Sequence, residues 1–311
     1  MVMKHHRMPN LYLSGVEKAG TSFLYDLIAQ HSQIFAPKVK EPRVFLEGIW
    51  NDKGDMSWGE YEELYRAVEG ERYILDGSPL YFYYEEAMRR ISEEANGEAT
   101  MIVVLRDPIS RAYSHYQMML TLGSVPRLSF SELFSRSTNE DHEEFESTAP
   151  YRHLFSRSLY HKSLEAAYSI FSQEQVLCLV FEELKQDWVT GCRQIFEFLG
   201  LENESVDLNS SRRNTGYGVK GSVGRSLVSM ALKCGRPLKQ IIPVGVYDRM
   251  KTSVMRSGEL LSKLEPTPEL DDWELLEEMK SYYADDVDNL AEILGGRPAW
   301  LLQEEVTMNG L

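Results

Sequence analysis

The chain has 311 residues, 43% of them hydrophobic, which is enough to bury a large core and sets the expectation of one α/β domain. Its 33 Lys and Arg stand against 48 Asp and Glu, a formal net charge of −15, which argues against general nucleic-acid binding and against an anionic membrane surface. An anion bound by this chain has to meet a locally positive pocket rather than a positive surface.

The amino-terminal MVMKHHRMPN holds no apolar run of signal length, and no stretch is long enough to span a membrane; taken as complete, the chain is expected to be cytoplasmic, with no membrane insertion. Leu11–Gly15 reads as the first strand and Thr21 to His31 as the first helix, with Phe23, Leu24, Leu27 and Ile28 at helical spacing. Between them Gly15 and Gly20 bound a turn that contains Lys18 and Ala19. Backbone N–H groups at a helix start, the hydroxyls of Thr21 and Ser22 and the Lys18 ammonium together make an anion site of the phosphate-binding kind. Ser32–Phe45, interrupted by Pro37 and Pro42, is expected to be a loop, and it carries Lys38, Lys40, Glu41 and Arg43 close after the anion turn.

A helix is predicted from Trp58 to Val68, then a short strand at Tyr73–Leu75 closed by Asp76-Gly77-Ser78-Pro79, then a helix over Tyr81–Ala95. Met101–Leu105 is an apolar run of the kind found in a central parallel strand. It stops at Arg106; Asp107 is placed to cap a helix that starts at Pro108 and runs through Thr121. Further helices are expected at Ser129–Ser135, Arg152–Phe171 and Glu182–Leu199, with a buried strand at Gln175–Phe181 and an exposed acidic loop at Asn139–Ser147. The stretch 210–225 is rich in Gly and basic residues and reads as a mobile loop or lid, followed by helices at Ser226–Lys233 and Asp271–Leu294. Strands alternating with helices predict an α/β fold: a P-loop-like, mostly parallel sheet flanked by helices on both faces, in a single domain. Cys178, Cys192 and Cys234 show no CxxC spacing and are expected to be thiols, with Cys178 in the core. The histidines have no metal-ligand spacing, and His115 reads as a packed or solvated residue rather than a catalytic one.

The spacing Gly15-x4-Gly20 is that of a nucleotide-binding P-loop, but that motif needs Lys directly after the second Gly, and Thr21 stands there. Lys18 lies two residues before Gly20, and Leu75-Asp76 is a weak fit for the metal-binding strand end. The reading is a phosphate cradle without NTPase chemistry. The alternatives left open are a metal-dependent P-loop nucleotide or nucleoside kinase and a non-catalytic nucleotide-binding module.

Lys18-Ala19-Gly20-Thr21-Ser22 with Leu24 resembles the 5′-phosphosulfate loop of sulfotransferases that use 3′-phosphoadenosine 5′-phosphosulfate (PAPS). Val103-Val104-Leu105-Arg106-Asp107-Pro108 with Arg111-Ala112-Tyr113-Ser114 resembles the same family's 3′-phosphate motif. Lys40-Glu41-Pro42 with Phe45, and Ser78-Pro79 with Tyr81, resemble the branch that contains heparan sulfate sulfotransferases and bacterial relatives. Arg157 to Tyr160 is similar to its adenine-side element, and Lys220-Gly221 to the Lys-Gly of its cover loop. The resemblance implies donor binding by Lys18, Ala19, Gly20, Thr21, Ser22, Arg106, Ser114, Tyr160, Lys220 and Gly221, with no metal. It implies catalysis by Lys18, on the leaving phosphate, and by Glu41, as general base toward a hydroxyl, less often an amine, of a small-molecule, lipid or carbohydrate acceptor. Relatives acting on heparan carry Lys where this chain has Gly77 and His where it has Met118, so the donor site is expected to be kept and the acceptor is not named.

Overall fold

The computed structural model describes residues 8–49, 56–122, 128–138, 153–209, 272–296, 298 and 300. The Gly-rich segment 210–225 with Lys220 and Gly221, the acidic tract 139–147, the helix expected at 226–233 and Cys234 lie outside the described residues. Two compact units divide the chain: the first holds Met1–Asp107, Leu159–Asn214 and Ala284–Leu311, the second Pro108–Ser158 and Thr215–Tyr283. Among the described residues no helix is long and apolar enough to cross a membrane.

The first unit is built on five strands: β1 (Leu11–Leu13), β2 (Ile34–Phe35), β3 (Tyr73–Asp76), β4 (Thr100–Leu105) and β5 (Val176–Val180). Their order is β2-β3-β1-β4-β5, and every pairing is parallel. β1 and β4 are central and wholly apolar on both faces from Met101 to Leu105, the pattern of strands covered on both sides. Helices flank the sheet: α1 (Thr21–Ile28), α2 (Trp58–Leu64) and α3 (Glu85–Glu94) come from the amino-terminal half.

The order of strands decides where a ligand can bind. After β1 the chain turns toward β2 and β3, and after β4 it turns the other way, toward β5. The carboxyl ends of β1 and β4 therefore flank the crevice where connections diverge, the place where open parallel sheets bind ligands. The 14–20 turn leaves one of these ends and Arg106 leaves the other. The ladder continues past β1, with Val16 N donating to Val104 O at 2.7 Å and Val104 N to Gly15 O at 3.2 Å, so the start of the turn is fixed to β4.

Three local predictions are corrected. The expected loop Ser32–Phe45 contains β2, because Ile34 and Phe35 pair with Tyr73 and Ile74. The helix expected over Arg152–Phe171 is a 3-10 turn at Ser156–Ser158, then a helix only from His161 to Ile170 (hereafter α6), after α4 (Pro108–Leu122) and α5 (Phe130–Thr138). His153 has a left-handed backbone at φ 69°, and the Asp286 carboxylate accepts from the amides of Tyr160 at 2.7 Å and His161 at 3.1 Å. The cap thus comes from 126 residues away. The helix expected over Glu182–Leu199 is two, α7 (Phe181–Gln186) and α8 (Trp188–Phe198), split by Asp187, whose carboxylate caps α8 through Val189 N at 3.0 Å and Thr190 N at 3.1 Å. A last helix, α9, runs Trp273–Leu294.

In the second unit Arg111 is fully buried, donating from Nε to Ser158 Oγ at 2.6 Å and from its fork to Leu154 O. His115 packs against it, Nδ1 at 3.3 Å from the guanidinium, so this ring nitrogen is the acceptor. Phe130, Phe134 and Phe155 form the aromatic core beside them, with ring centroids 5.1–5.2 Å apart across Phe155.

Ile102, at 0% exposure between β1 and β5, carries the central packing. Ile102→Ala is expected to lower unfolding free energy by about 2–5 kcal/mol in a denaturant titration; a loss below ~1 kcal/mol would show that the sheet centre can collapse around the gap.

Candidate active site

The anion turn is held in shape by backbone that ordinary residues avoid. Lys18 has φ 74° and Gly20 φ 73°, both left-handed. A Cβ at Gly20 would lie 2.8 Å from Phe181 Cε2 and 2.9 Å from Trp188 Cη2, so only Gly fits between those rings. Gly20 is also the residue before α1, which begins without a side-chain cap. Thr21 is buried, Ala19 is fully buried, and Lys18 and Ser22 are half-buried. The helix N-terminus and the two hydroxyls expected for an anion are therefore at one place.

Arg106, leaving β4, donates from Nη1 to the carbonyl of Lys18 at 2.6 Å, and its guanidinium lies over the Phe181 ring at 4.8 Å. Two of the expected phosphate-binding cations are thus joined through backbone. Tyr160 is fully buried, and its hydroxyl donates to Arg106 O at 2.9 Å, so its polar end supports the strand terminus. Beside it Glu182 accepts from Asp107 N at 3.1 Å; burial pushes its carboxyl above the ordinary range, partly offset by that bond and by the Arg106 charge. Ser114 lies half-buried on α4, in the second unit.

The loop after β2 reaches the same turn. Tyr25 OH donates to Pro37 O at 2.7 Å, anchoring its start. Lys40 Nζ donates to Ser22 Oγ at 2.8 Å and lies 3.5 Å from Glu41 Oε1. Arg43 Nη2 pairs with the other oxygen, Glu41 Oε2. Glu41 is thus held between two cations, one of which touches the anion turn. Burial pulls the Lys40 ammonium below its ordinary value, while the neighbouring Glu41 pulls it back up. Glu41 and Arg43 are also left-handed, at φ 60° and 58°. Three of the five non-glycine residues with positive φ among the described residues are Lys18, Glu41 and Arg43, and strain of about 1–3 kcal/mol per residue is a mark of functional segments.

The sequence marks Lys40 only as part of Lys40-Glu41-Pro42, without its partner on α1, and Asp76 only as a weak fit to a metal-binding strand end. Asp76 is fully buried at the end of β3. Its Oδ1 accepts from Ser78 Oγ at 2.7 Å, and its Oδ2 from Tyr61 OH at 2.9 Å and Tyr81 OH at 3.2 Å. The strand-end carboxylate that a P-loop kinase would turn toward its metal is here turned into hydroxyl donors. At Gly77 a Cβ would lie 2.5 Å from Tyr25 Cδ2 and 3.3 Å from Lys40 Cε, so the volume above this glycine is filled by the residues that hold the Glu41 loop.

Residues 9–215 match the family model described as a sulfotransferase domain. Heparan sulfate glucosamine 3-O-sulfotransferase 3A1 of Mus musculus is 31% identical over 203 residues, covering 65% of this chain and 48% of that protein. Bifunctional heparan sulfate N-deacetylase/N-sulfotransferase 4 of Mus musculus is 26% identical over 200 residues, 62% of this chain and 22% of that protein. The chain spans about half the length of the first and about a fifth of the second. A solved sulfotransferase from Alicyclobacillus acidocaldarius superposes with a TM-score of 0.65 at 22% identity, covering 93% of this chain and 97% of that one, a likeness of fold.

Burial lifts the Asp76 carboxyl from 3.8 to about 6; the bonds from Ser78, Tyr61 and Tyr81 pull it down, and the Glu41 charge adds to the rise. The folded state therefore binds this proton more tightly than the unfolded chain. Its contribution to stability is full below the unfolded value near 3.8 and is lost as pH rises through about 6. Asp76→Asn is expected to flatten that part of the melting temperature's decline between pH ~4 and ~7; superimposable profiles for the two proteins would place the titration in another group.

Proposed function

Because the chain belongs to the sulfotransferase domain family, we propose that it transfers a sulfuryl group from PAPS to an acceptor hydroxyl, with a carbohydrate hydroxyl as the favoured class. The observation that carries this reading is the contact of Lys40 with both Ser22 and Glu41, which sets a carboxylate beside the anion turn. The acceptor class is supported by the relatives named for 3-O-sulfation of glucosamine in heparan sulfate. The net charge of −15 favours a small or weakly charged acceptor over a long polyanion.

The donor set fits a ligand with phosphate at two ends. Lys18, Thr21, Ser22 and the first turn of α1 are assigned to the 5′-phosphosulfate and Arg106 to the 3′-phosphate; Ser114 belongs to the second unit, and Lys220 and Gly221 lie outside the described residues. Tyr160 serves at one remove, through the Arg106 carbonyl. PAPS supplies an activated sulfuryl group on a phosphate leaving group. Glu41 takes the proton of the acceptor hydroxyl, so that its oxygen becomes the nucleophile. Lys18 compensates the negative charge that collects on the leaving phosphate, and the α1 N-terminus adds neutral donors that need no rearrangement. Lys40 keeps the base and the cradle in one electrostatic unit, and Arg43 occupies the second Glu41 oxygen until the acceptor competes for it.

Two experiments test the reading. Calorimetry with 3′,5′-adenosine bisphosphate, without added metal, is expected to show binding that Arg106→Ala weakens by about 1.5–3 kcal/mol, the range for hydrogen bonds to charged groups; wild-type affinity in the variant would move the 3′-phosphate elsewhere. Labelled PAPS offered with glucosamine disaccharides, phenols and sterols is expected to label a hydroxyl acceptor. Lys18→Ala and Glu41→Gln should each lower that turnover by roughly 100-fold or more. Turnover that depended on ATP and Mg²⁺ and ignored PAPS would overturn the proposal.

A further inference from the structure

Asp76 is a buried carboxyl with a cost attached, since removing a carboxylate from water is unfavourable even when hydroxyls bind it. It lies at the strand end beside the anion turn, on the side of β1 opposite β4. What its position gains is visible one residue pair further on. Ser78 Oγ is fully buried and donates its proton to Asp76 Oδ1 at 2.7 Å. With its proton so directed, the hydroxyl presents lone pairs to its other neighbour, Arg43 N, which lies 3.4 Å away and donates to it. Arg43 is the left-handed residue that opens the 3-10 turn Val44–Leu46, and its guanidinium grips the Glu41 carboxylate. The sequence of contacts is Asp76 to Ser78, Ser78 to the Arg43 backbone, and the Arg43 side chain to Glu41.

We propose that Asp76 and Ser78 are positioning residues that hold the Glu41–Arg43 turn, and so the aim of Glu41, against the anion loop. The inference rests on the reading of Glu41 as the base. A segment with two left-handed non-glycine residues needs outside contacts to keep it there, because each such residue prefers another conformation. Tyr25 holds the start of the segment at Pro37, Lys40 holds its middle at Ser22, and Ser78 holds its end at Arg43. Tyr61 and Tyr81 both donate to Oδ2 of Asp76, while Oδ1 accepts from Ser78. The groups around Asp76 include Tyr12, Tyr25, Tyr61, Tyr65 and Tyr81, whose hydroxyls are all kept neutral by burial, and the charge of Glu41.

The test uses the full chain with Ser78→Ala, Ser78→Thr and Asp76→Asn, each also combined with Glu41→Gln. The first measurement needs no acceptor: hydrogen exchange of peptides covering residues 36–46, read against the rest of the chain. Ser78→Ala and Asp76→Asn are expected to speed exchange in that segment, and Ser78→Thr, which keeps the hydroxyl, to restore it. The second measurement is transfer from labelled PAPS to the acceptor drawn from the panel above. Ser78→Ala is expected to lower kcat by about 10- to 100-fold, the scale for a misplaced catalytic group. The affinity for 3′,5′-adenosine bisphosphate should stay within about twofold of wild type, which also reports that the variant is folded. In the Glu41→Gln background the same substitution should cost almost nothing more, since its effect passes through Glu41. Wild-type exchange in residues 36–46, or an equal loss of kcat with and without the Glu41 carboxylate, overturns the positioning role. Wild-type turnover by Glu41→Gln alone overturns instead the base reading on which it stands. Should Ser78→Ala melt below assay temperature, Asp76→Asn carries the same comparison.

Discussion

The bond from the Arg106 guanidinium to the Lys18 carbonyl fastens together the two strand ends on which the site is built. It spans 88 residues of sequence, and parallel pairing of β1 with β4 is what brings its two ends to one place. A carbonyl at the centre of a left-handed turn would otherwise face an anion with its negative end. Arg106 supplies that carbonyl with a cationic partner, so its negative end is compensated within the protein. The same guanidinium rests on Phe181, whose ring with that of Trp188 confines Gly20. The anion turn is thus shaped from two sides, by Arg106 just past β4 and by Phe181 and Trp188 at the starts of α7 and α8. Its left-handed residues are held by tertiary structure and not by local preference.

Around that turn the protein concentrates positive charge that its composition lacks. Lys18, Lys40, Arg43 and Arg106 stand on three separate segments in a chain of net charge −15. Their carboxylate neighbours are arranged to differ in role. Glu41 is half-exposed and clamped by two cations, Asp76 is sealed among hydroxyls, and Glu182 is tied to a backbone amide. One carboxylate is therefore available to an incoming group while the other two are committed to structure. Partial burial of Lys40 strengthens each of its contacts, because the screening by water that weakens surface pairs is reduced there.

What was legible in the sequence follows a physical division. The central strands and the turn were readable because apolar runs such as Met101–Leu105 and the Gly15, Gly20 pair act locally. The start of α6 was not, because its cap is Asp286, a residue on a distant helix. The break at Asp187 was readable in principle, since Asp followed by Thr190 is a capping pattern, but the apolar spacing on both sides hid it. Lys40 was legible as a member of Lys40-Glu41-Pro42, but its partner was not. Only the folded loop shows its ammonium 2.8 Å from a hydroxyl that belongs to the anion turn. Asp76 was noticed for the wrong chemistry. A strand-end Asp beside a phosphate loop has the same sequence signature whether it faces a metal or three hydroxyls, and Tyr61 and Tyr81, the donors that decide between the two, sit on other elements.

Gly77 shows how closely the two halves of the site are fitted. Any side chain there would enter the ring of Tyr25 and press on the stem of Lys40. Tyr25 belongs to α1, which follows the anion turn, and Lys40 to the loop that carries Glu41. The bare backbone between Asp76 and Ser78 is thus the surface on which the anion helix and the base loop meet. A larger residue would have to be accommodated by moving one of them.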